Sequence, residues 1–419
     1  MADLVITDAN TVFRRTTLSN GLRIVTESIP SVRSISVGAW IFTGSRDEPA
    51  DEAGISHFIE HMVFKGTARR RMHHIAQRLE SVGGYLNAFT TKEFTCYFAR
   101  ALDEHLMRAV DTVLDLVLEP DFPVKELEKE KDVVLEEMKM YEDSPEDLIF
   151  DRFESVLYDD HPLARPIIGI PETVAGLTRD QLVAFMAEQY TPDRTVLAVA
   201  GNVDHEEVVA LAAKMFERSG RAPRGRLRVP INGYSPQRYS EERPIQQAHL
   251  VLGTRGLPAS DDRRATMSVL NTILGGGMSS RLNQNIRERY GFCYSIYSFA
   301  NMHSDVGDFG VYMATDPGRV DRSVKLIFRE LSALAEKPVS RRMLNQARSQ
   351  VKGSLMLGLE NMSNRMMRLG RTELYYEHYF TLDDILGQID NVTEEDVQRL
   401  AGELFDPERF STVTLMPQN

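Results

Sequence analysis

The sequence predicts an α+β chain built from two homologous repeats, each a mostly antiparallel sheet with helices packed on one face. Three observations carry that expectation. Offset by 215 residues, the halves fall into register: Gly38 meets Gly253, Ser45 meets Ser260, Asp47 meets Asp262, Tyr97-Phe98-Ala99 meets Tyr312-Met313-Ala314, and Pro123 meets Pro338. A single offset held over about 85 residues marks a duplicated unit. Each half also mixes period-two strands with 3.6-period helices in the same order, which suits a sheet covered by helices. Between the halves lies a stretch rich in Arg, Pro and Gly, so the boundary is expected at residues 217–244, with repeats at 1–216 and 245–419.

The elements follow in order. In the first half the pattern predicts a strand at 34–43, a largely apolar helix at 53–64, strands at 85–90 and 95–100, and helices at 103–118 and 124–142. The second half predicts a strand at 248–254, a helix at 262–274, strands at 293–299 and 308–314, and helices at 317–335 and 340–358. In both halves a proline, Pro123 or Pro338, separates the last two helices.

Composition limits the function classes. With 419 residues, 42% hydrophobic and 26% charged, the chain can bury the cores of two globular domains. A net charge of −12 argues against a dedicated nucleic-acid binder. The one basic segment, Arg218, Arg221, Arg224, Arg226 and Arg228, is interleaved with Gly220, Pro223 and Gly225 and reads as a solvated linker. No apolar run approaches the roughly 18 residues of a membrane span. Residues Met1–Asp8 lack the character of a signal or transit peptide. Cys96 and Cys293 have no paired spacing and read as reduced thiols, so a cytoplasmic location is expected.

The chemistry is concentrated in Gly54-Ile55-Ser56-His57-Phe58-Ile59-Glu60-His61-Met62-Val63-Phe64. On an α-helix, His57 and His61 differ by about 40° in azimuth and one turn in height, so both imidazoles can reach one metal ion. Glu60 lies about 60° from His57, close enough to act on a water at that ion. H-x-x-E-H is thus the H-E-x-x-H zinc helix with the chain direction inverted. Histidine and glutamate are seldom buried without a partner, and the flanking residues Phe58, Ile59, Met62, Val63 and Phe64 are apolar. A catalytic zinc needs a third protein ligand. The run Glu126-Leu127-Glu128-Lys129-Glu130-Lys131-Asp132-Val133-Val134-Leu135-Glu136-Glu137-Met138 offers one. Glu130, Val134, Glu137 and Tyr141 form one helical stripe, which suggests Glu137 as ligand and Glu130 as acceptor for a ligand histidine. Spacing alone leaves Glu136 and Glu137 both open.

These residues resemble the inverzincin peptidases of the pitrilysin, insulin-degrading enzyme and mitochondrial processing peptidase family. The resemblance covers nearly the whole chain and includes Leu18-Ser19-Asn20-Gly21-Leu22-Arg23 and Gly83-Gly84-Tyr85-Leu86-Asn87-Ala88-Phe89-Thr90. It is nearest to the half-length, processing-peptidase-like members. In that family the glutamate ligand follows the second histidine by about 76 residues and precedes a methionine, which implies Glu137, before Met138. The resemblance also implies one Zn²⁺ per chain, Glu60 as general acid–base, and a peptide laid along Asn87, Ala88 and Phe89 by strand addition. Arg287 followed seven residues later by Tyr294 matches a family pair that faces the zinc of another domain and stabilises the oxyanion. Asp147 and Asp151 occupy places where relatives hold an arginine of the substrate, although Ser144-Pro145-Glu146-Asp147 is equally an ordinary helix start.

The second repeat has lost the metal set: His57, Glu60, His61 and Glu137 become Thr272, Gly275, Gly276 and Lys352. Its Leu274-Gly275-Gly276-Gly277-Met278-Ser279-Ser280 lacks the ending of a phosphate-binding loop and reads as a helix junction. Long relatives carry four such domains, so the resemblance implies a homodimer with composite active sites. The expected function is a zinc endopeptidase for extended or unfolded peptides, with a preference for basic residues near the cut. The alternatives are a non-catalytic family subunit and a peptide-binding scaffold.

Overall fold

The computed structural model describes residues 2–8, 11–219, 221–223, 225, 228–231 and 233–418. It comprises two compact units, each discontinuous in sequence: Met1–Met138, Arg165–Arg228 and Leu357–Tyr379 form the first, and Lys139–Ala164, Val229–Met356 and Phe380–Asn419 the second.

The first unit holds strands β1 (Ala2–Asp8), β2 (Thr11–Thr17), β3 (Arg23–Ser28), β4 (Ser34–Ile41), β5 (Tyr85–Thr90), β6 (Thr95–Leu102) and β7 (Thr195–Gly201). They lie in the order β1-β2-β3-β7-β4-β6-β5. The second unit holds β8 (Arg238–Arg243), β9 (Ala248–Gly256), β10 (Cys293–Met302), β11 (Gly307–Thr315) and β12 (Ser411–Pro417), in the order β10-β11-β9-β12-β8. Each sheet is antiparallel except for one parallel pair, β3 with β7 and β8 with β12. The duplication is therefore topological: β3-β7-β4-β6-β5 and β8-β12-β9-β11-β10 share one order, and the first sheet adds the β1–β2 hairpin.

The helices of the first half are α1 (Ile55–Met62), α2 (Met72–Glu80), α3 (Leu106–Leu118), α4 (Val124–Asp143), α5 (Pro145–Tyr158), α6 (Pro171–Gly176), α7 (Arg179–Gln189) and α8 (His205–Ser219). Those of the second half are α9 (Arg264–Gly275), α10 (Val320–Glu336), α11 (Arg341–Gly358), α12 (Met362–Tyr376), α13 (Leu382–Asp390) and α14 (Glu394–Leu404). Alternation along β4 explains how one sheet serves two layers. Ile35, Val37, Ala39 and Ile41 face the main helical layer with Phe58 of α1, Val113 of α3 and Phe216 of α8. Trp40 faces the opposite side, where it meets Met366 and Leu369 of α12. The second sheet repeats the plan, with Val251, Val413 and Leu415 packed on Ile149 and Phe153 of α5.

The helices expected on one face are thus joined by a single helix on the other. Adding 215 to the start of α5 reaches the start of α12 to within two residues. Each half therefore gives its equivalent helix to the unit centred on the other half, which is why each unit is discontinuous in sequence. The Gly38–Gly253 match now has a physical cause. A Cβ on Gly38 would collide with Met366 Sδ, and one on Gly253 with Phe153 Cζ, so both glycines seat an exchanged helix. Gly370 completes the first seat, because its Cβ would overlap the Trp40 indole. Gly370→Ala should lower stability by about 1–3 kcal/mol despite alanine's better helix propensity. A thermal melt at or above the parent's would show that the seat has room.

The basic segment corrects the expectation of a solvated linker. Arg218 pairs with Glu119 at 2.7 Å, and Arg221 donates to the carbonyls of Tyr190 and Leu118. Arg228 is bound by Asp47 at 2.8 Å and by buried Glu93. The guanidinium groups reach carboxylates and carbonyls far away in sequence, which Gly and Pro spacing does not reveal. Gly220, Arg224 and Arg226 lie outside the described residues. No helix among the described residues is long and apolar enough to cross a membrane.

Candidate metal centre

Helix α1 begins where Gly54 adopts the left-handed region, at φ 95°, which favours glycine. Two of its free N-terminal amides are capped from a distance. Gly54 N–H and Ser56 N–H donate to the carboxylate of buried Glu48 at 2.7 and 2.8 Å. Burial pushes the Glu48 carboxyl up to about 8 even though these donors favour its charged form. With Ile55, Phe58, Ile59 and Met62 buried, the helix cannot rotate, and His57, Glu60 and His61 are left half-buried along one line.

Helix α4 closes the site. Its Leu127, Glu130, Val134 and Met138 face inward, and Glu137 stands beside this stripe. Single ligand atoms of His57, His61 and Glu137 lie within 4.8 Å of one another. Glu136 is exposed, so of the two glutamates the structure brings Glu137 to the histidines. His57 Nε2 is 3.9 Å and His61 Nε2 3.5 Å from the Glu137 carboxylate. These separations are long for hydrogen bonds, but tetrahedral zinc with bonds of about 2.1 Å sets its ligands about 3.4 Å apart.

Protonation fits the same use. Burial, aided by the neighbouring His61, pulls His57 down to about 3, so its imidazole is neutral and its lone pair available. His57 Nδ1 is buried without a hydrogen-bond partner among the described residues. Burial pulls His61 down as well, but the Glu130 hydrogen bond and the charges of Glu137, Glu130 and Glu60 outweigh it and leave its pKa raised. Glu130 Oε1 lies 2.9 Å from His61 Nδ1, and Lys65 Nζ reaches Glu130 Oε2 at 2.7 Å. Despite its burial, these two contacts hold the Glu130 carboxyl below the usual range. Glu60 goes the other way: burial raises its pKa in spite of a 2.6 Å hydrogen bond from Thr90 Oγ1. Two imidazoles and a carboxylate are a donor set suited to catalytic zinc, and a further carboxylate, Glu60, lies one residue from His61.

The strand expected at 85–90, along which the resemblance lays the peptide, is β5, and it forms an edge of its sheet. Leu86 and Ala88 turn toward the helical core, whereas Phe89 packs with Trp40, Phe94 and Phe98. Asn87 is folded back on its own strand: its Nδ2 donates to the Tyr85 hydroxyl at 2.5 Å, and its Oδ1 accepts from Ala88 N–H at 2.8 Å. Arg287, Tyr294, Asp147 and Asp151 belong to the second unit. There the Arg287 guanidinium lies 5.7 Å from the Tyr294 ring centre, and Tyr294 is 82% exposed. Asp147 Oδ2 accepts from Ser144 Oγ at 2.5 Å at the start of α5. Where the second repeat lacks a glutamate ligand, Lys352 instead pairs with Asp390 at 2.6 Å. A Cβ on Gly275 would collide with the Ser298 backbone, as a close-packed junction requires.

Sequence reasoning missed three supports of the site. Thr90 lay at the end of a stretch already singled out, and Lys65 one helical turn beyond His61. Glu48 carried no local signal, since the hydrogen bonds that bear on the site go to the backbone amides of Gly54 and Ser56.

Comparison with known proteins places the chain in a peptidase family. Residues 23–170 match the family model described as Insulinase (Peptidase family M16), and residues 176–351 match Peptidase M16 inactive domain. A Mycobacterium leprae protein named as an uncharacterized zinc protease is 46% identical over 96% of this chain and 91% of its own length. The uncharacterized zinc protease YmxG of Bacillus subtilis is 41% identical over 94% of this chain and 96% of its own. A crystal structure from Pseudomonas fluorescens, titled as a peptidase M16 inactive domain, superposes with a TM-score of 0.91 at 21% identity, covering 97% of this chain and 98% of that one. A protease from Helicobacter pylori gives 0.88 at 22%, covering 97% and 99%. The two structures speak for the fold.

Proposed function

Because the chain belongs to the M16 peptidase family, we propose that it is a zinc endopeptidase acting on extended peptides, with one Zn²⁺ per chain held by His57, His61 and Glu137. The observation that carries this reading is the convergence of those three side chains beside Glu60. Bound there, zinc would supply Lewis acidity toward the scissile carbonyl and lower the pKa of water to about 7. Glu60 takes the proton of the attacking water and delivers it to the leaving amine. Glu130 fixes the His61 ring through Nδ1, leaving Nε2 for the metal.

The free edge of β5 pairs with the substrate backbone, which favours unfolded chains of varied sequence. The carbonyl and amide groups of that edge carry the recognition, with the Ala88 side chain turned inward. Arg287 orients the peptide and Tyr294 stabilises the oxyanion, both supplied by the second subunit of a homodimer. A net charge of −12 and the acids Asp147 and Asp151 favour basic residues near the cut; equal cleavage of peptides with and without such a residue would sink that preference. The two free cysteines suit a reducing compartment such as the cytoplasm.

The deciding experiment combines zinc content with cleavage of a quenched peptide, before and after chelation. About one zinc per chain and chelator-sensitive cleavage are expected. Peptide bound but never cut by the zinc-loaded protein would favour the scaffold reading. Glu130→Ala should weaken zinc binding by about 10–100-fold in a competition titration. An unchanged affinity would reduce Glu130 to a partner for Lys65.

A further inference from the structure

Thr90 is the last residue of β5, and its hydroxyl holds the carboxylate expected to do the proton transfer. Its own position is tightly set. It pairs with Thr95 of β6, and the turn that follows is closed by Thr91 N–H to the Phe94 carbonyl at 2.8 Å. The Thr91 hydroxyl caps the same turn, accepting from the amides of Glu93 and Phe94. Thr90 Oγ1 is thus a donor fixed by backbone on both sides, aimed at Glu60 Oε2 over 2.6 Å, a short charge-assisted contact.

Glu60, by contrast, is at the end of a flexible side chain with a roughly two-fold terminal torsion. On its own helix it is one residue from His61, and rotation of its carboxylate would alter which oxygen faces the site. We infer that Thr90 is a positioning residue: it ties up Glu60 Oε2, fixes the carboxylate plane and dedicates Oε1 to the proton. Because Thr90 lies on the edge strand proposed to receive the peptide, the same strand that aligns the substrate also aligns the base. A proton-transfer group loses rate steeply when displaced, so the effect falls on turnover and leaves substrate docking alone.

This inference rests on the endopeptidase reading, and the experiment separates the two. Zinc content, thermal melting, kcat and KM are measured for the parent, Thr90→Val and Thr90→Ser. Valine keeps the β-branched shape and the Thr90 backbone amide, which also favours the charged Glu60 carboxylate, and removes only the hydroxyl, whereas serine keeps the hydroxyl. The expected result is a kcat about 10–100-fold lower for Thr90→Val, with KM, zinc content and melting unchanged, and recovery of most of kcat in Thr90→Ser. If the zinc-loaded parent cuts no peptide, the endopeptidase reading fails. If the parent is active, the inference is overturned by a parental kcat in Thr90→Val. It is overturned equally by a loss that serine does not recover, or by a loss that appears in KM, zinc content or melting instead.

Discussion

Glu60→Gln is expected to lower peptide hydrolysis by about 10²–10⁴-fold while the protein keeps its zinc and its fold. Glutamine matches glutamate in shape and still accepts the Thr90 hydrogen bond through its carbonyl oxygen, so the local packing survives. What it cannot do is take a proton. Glu60 is not among the three side chains that converge as ligands, so metal affinity should stay within a few-fold of the parent's. Zinc content by atomic absorption and single-turnover cleavage of a quenched peptide would be measured on the same preparation. Normal turnover with full zinc would remove Glu60 from the chemistry. Lost turnover together with lost zinc would instead make it part of the metal's hold.

How legible was this site in the chain? His57, Glu60 and His61 stand out because polar ligands at helical spacing are rare among apolar neighbours such as Phe58 and Ile59. Glu137 does not stand out in the same way. Helix α4 is crowded with glutamate, and the structure separates Glu137 from Glu136 only by which of them faces α1. The strands and helices of the repeat core were readable because each is amphipathic with its own period. The exchange of α5 and α12 was not. A helix that begins with Ser144, Pro145 and two acids looks the same whichever sheet it covers, and the choice is made by distant contacts such as Phe153 against Gly253. Arg228 shows the same limit: its partners Asp47 and Glu93 lie 181 and 135 residues away. Local pattern reports burial and period, whereas pairing across the chain depends on geometry that local pattern does not hold.

The second large effect concerns assembly, and it is expected as recovered activity when two dead proteins are mixed. Glu60→Gln lacks the base, and Tyr294→Phe lacks the hydroxyl proposed to stabilise the oxyanion, a loss of about 10²–10³-fold. The two groups belong to different units of the chain. If a homodimer builds each site from the zinc of one subunit and the Arg287–Tyr294 pair of the other, a mixed dimer collects both lesions in one site. Its second site is then intact. Mixed dimers should approach about half the parent's activity each, the arithmetic of an isologous pair with two equivalent sites. Tyr294 suits such a role, since at 82% exposure it is not held in a core and its ring meets Arg287 from its own unit. Subunit exchange would be followed with differently tagged chains and cleavage measured as mixed dimers accumulate. Exchange without recovery would mean that every site still carries a lesion. That outcome places Tyr294 in the same subunit as the zinc it serves.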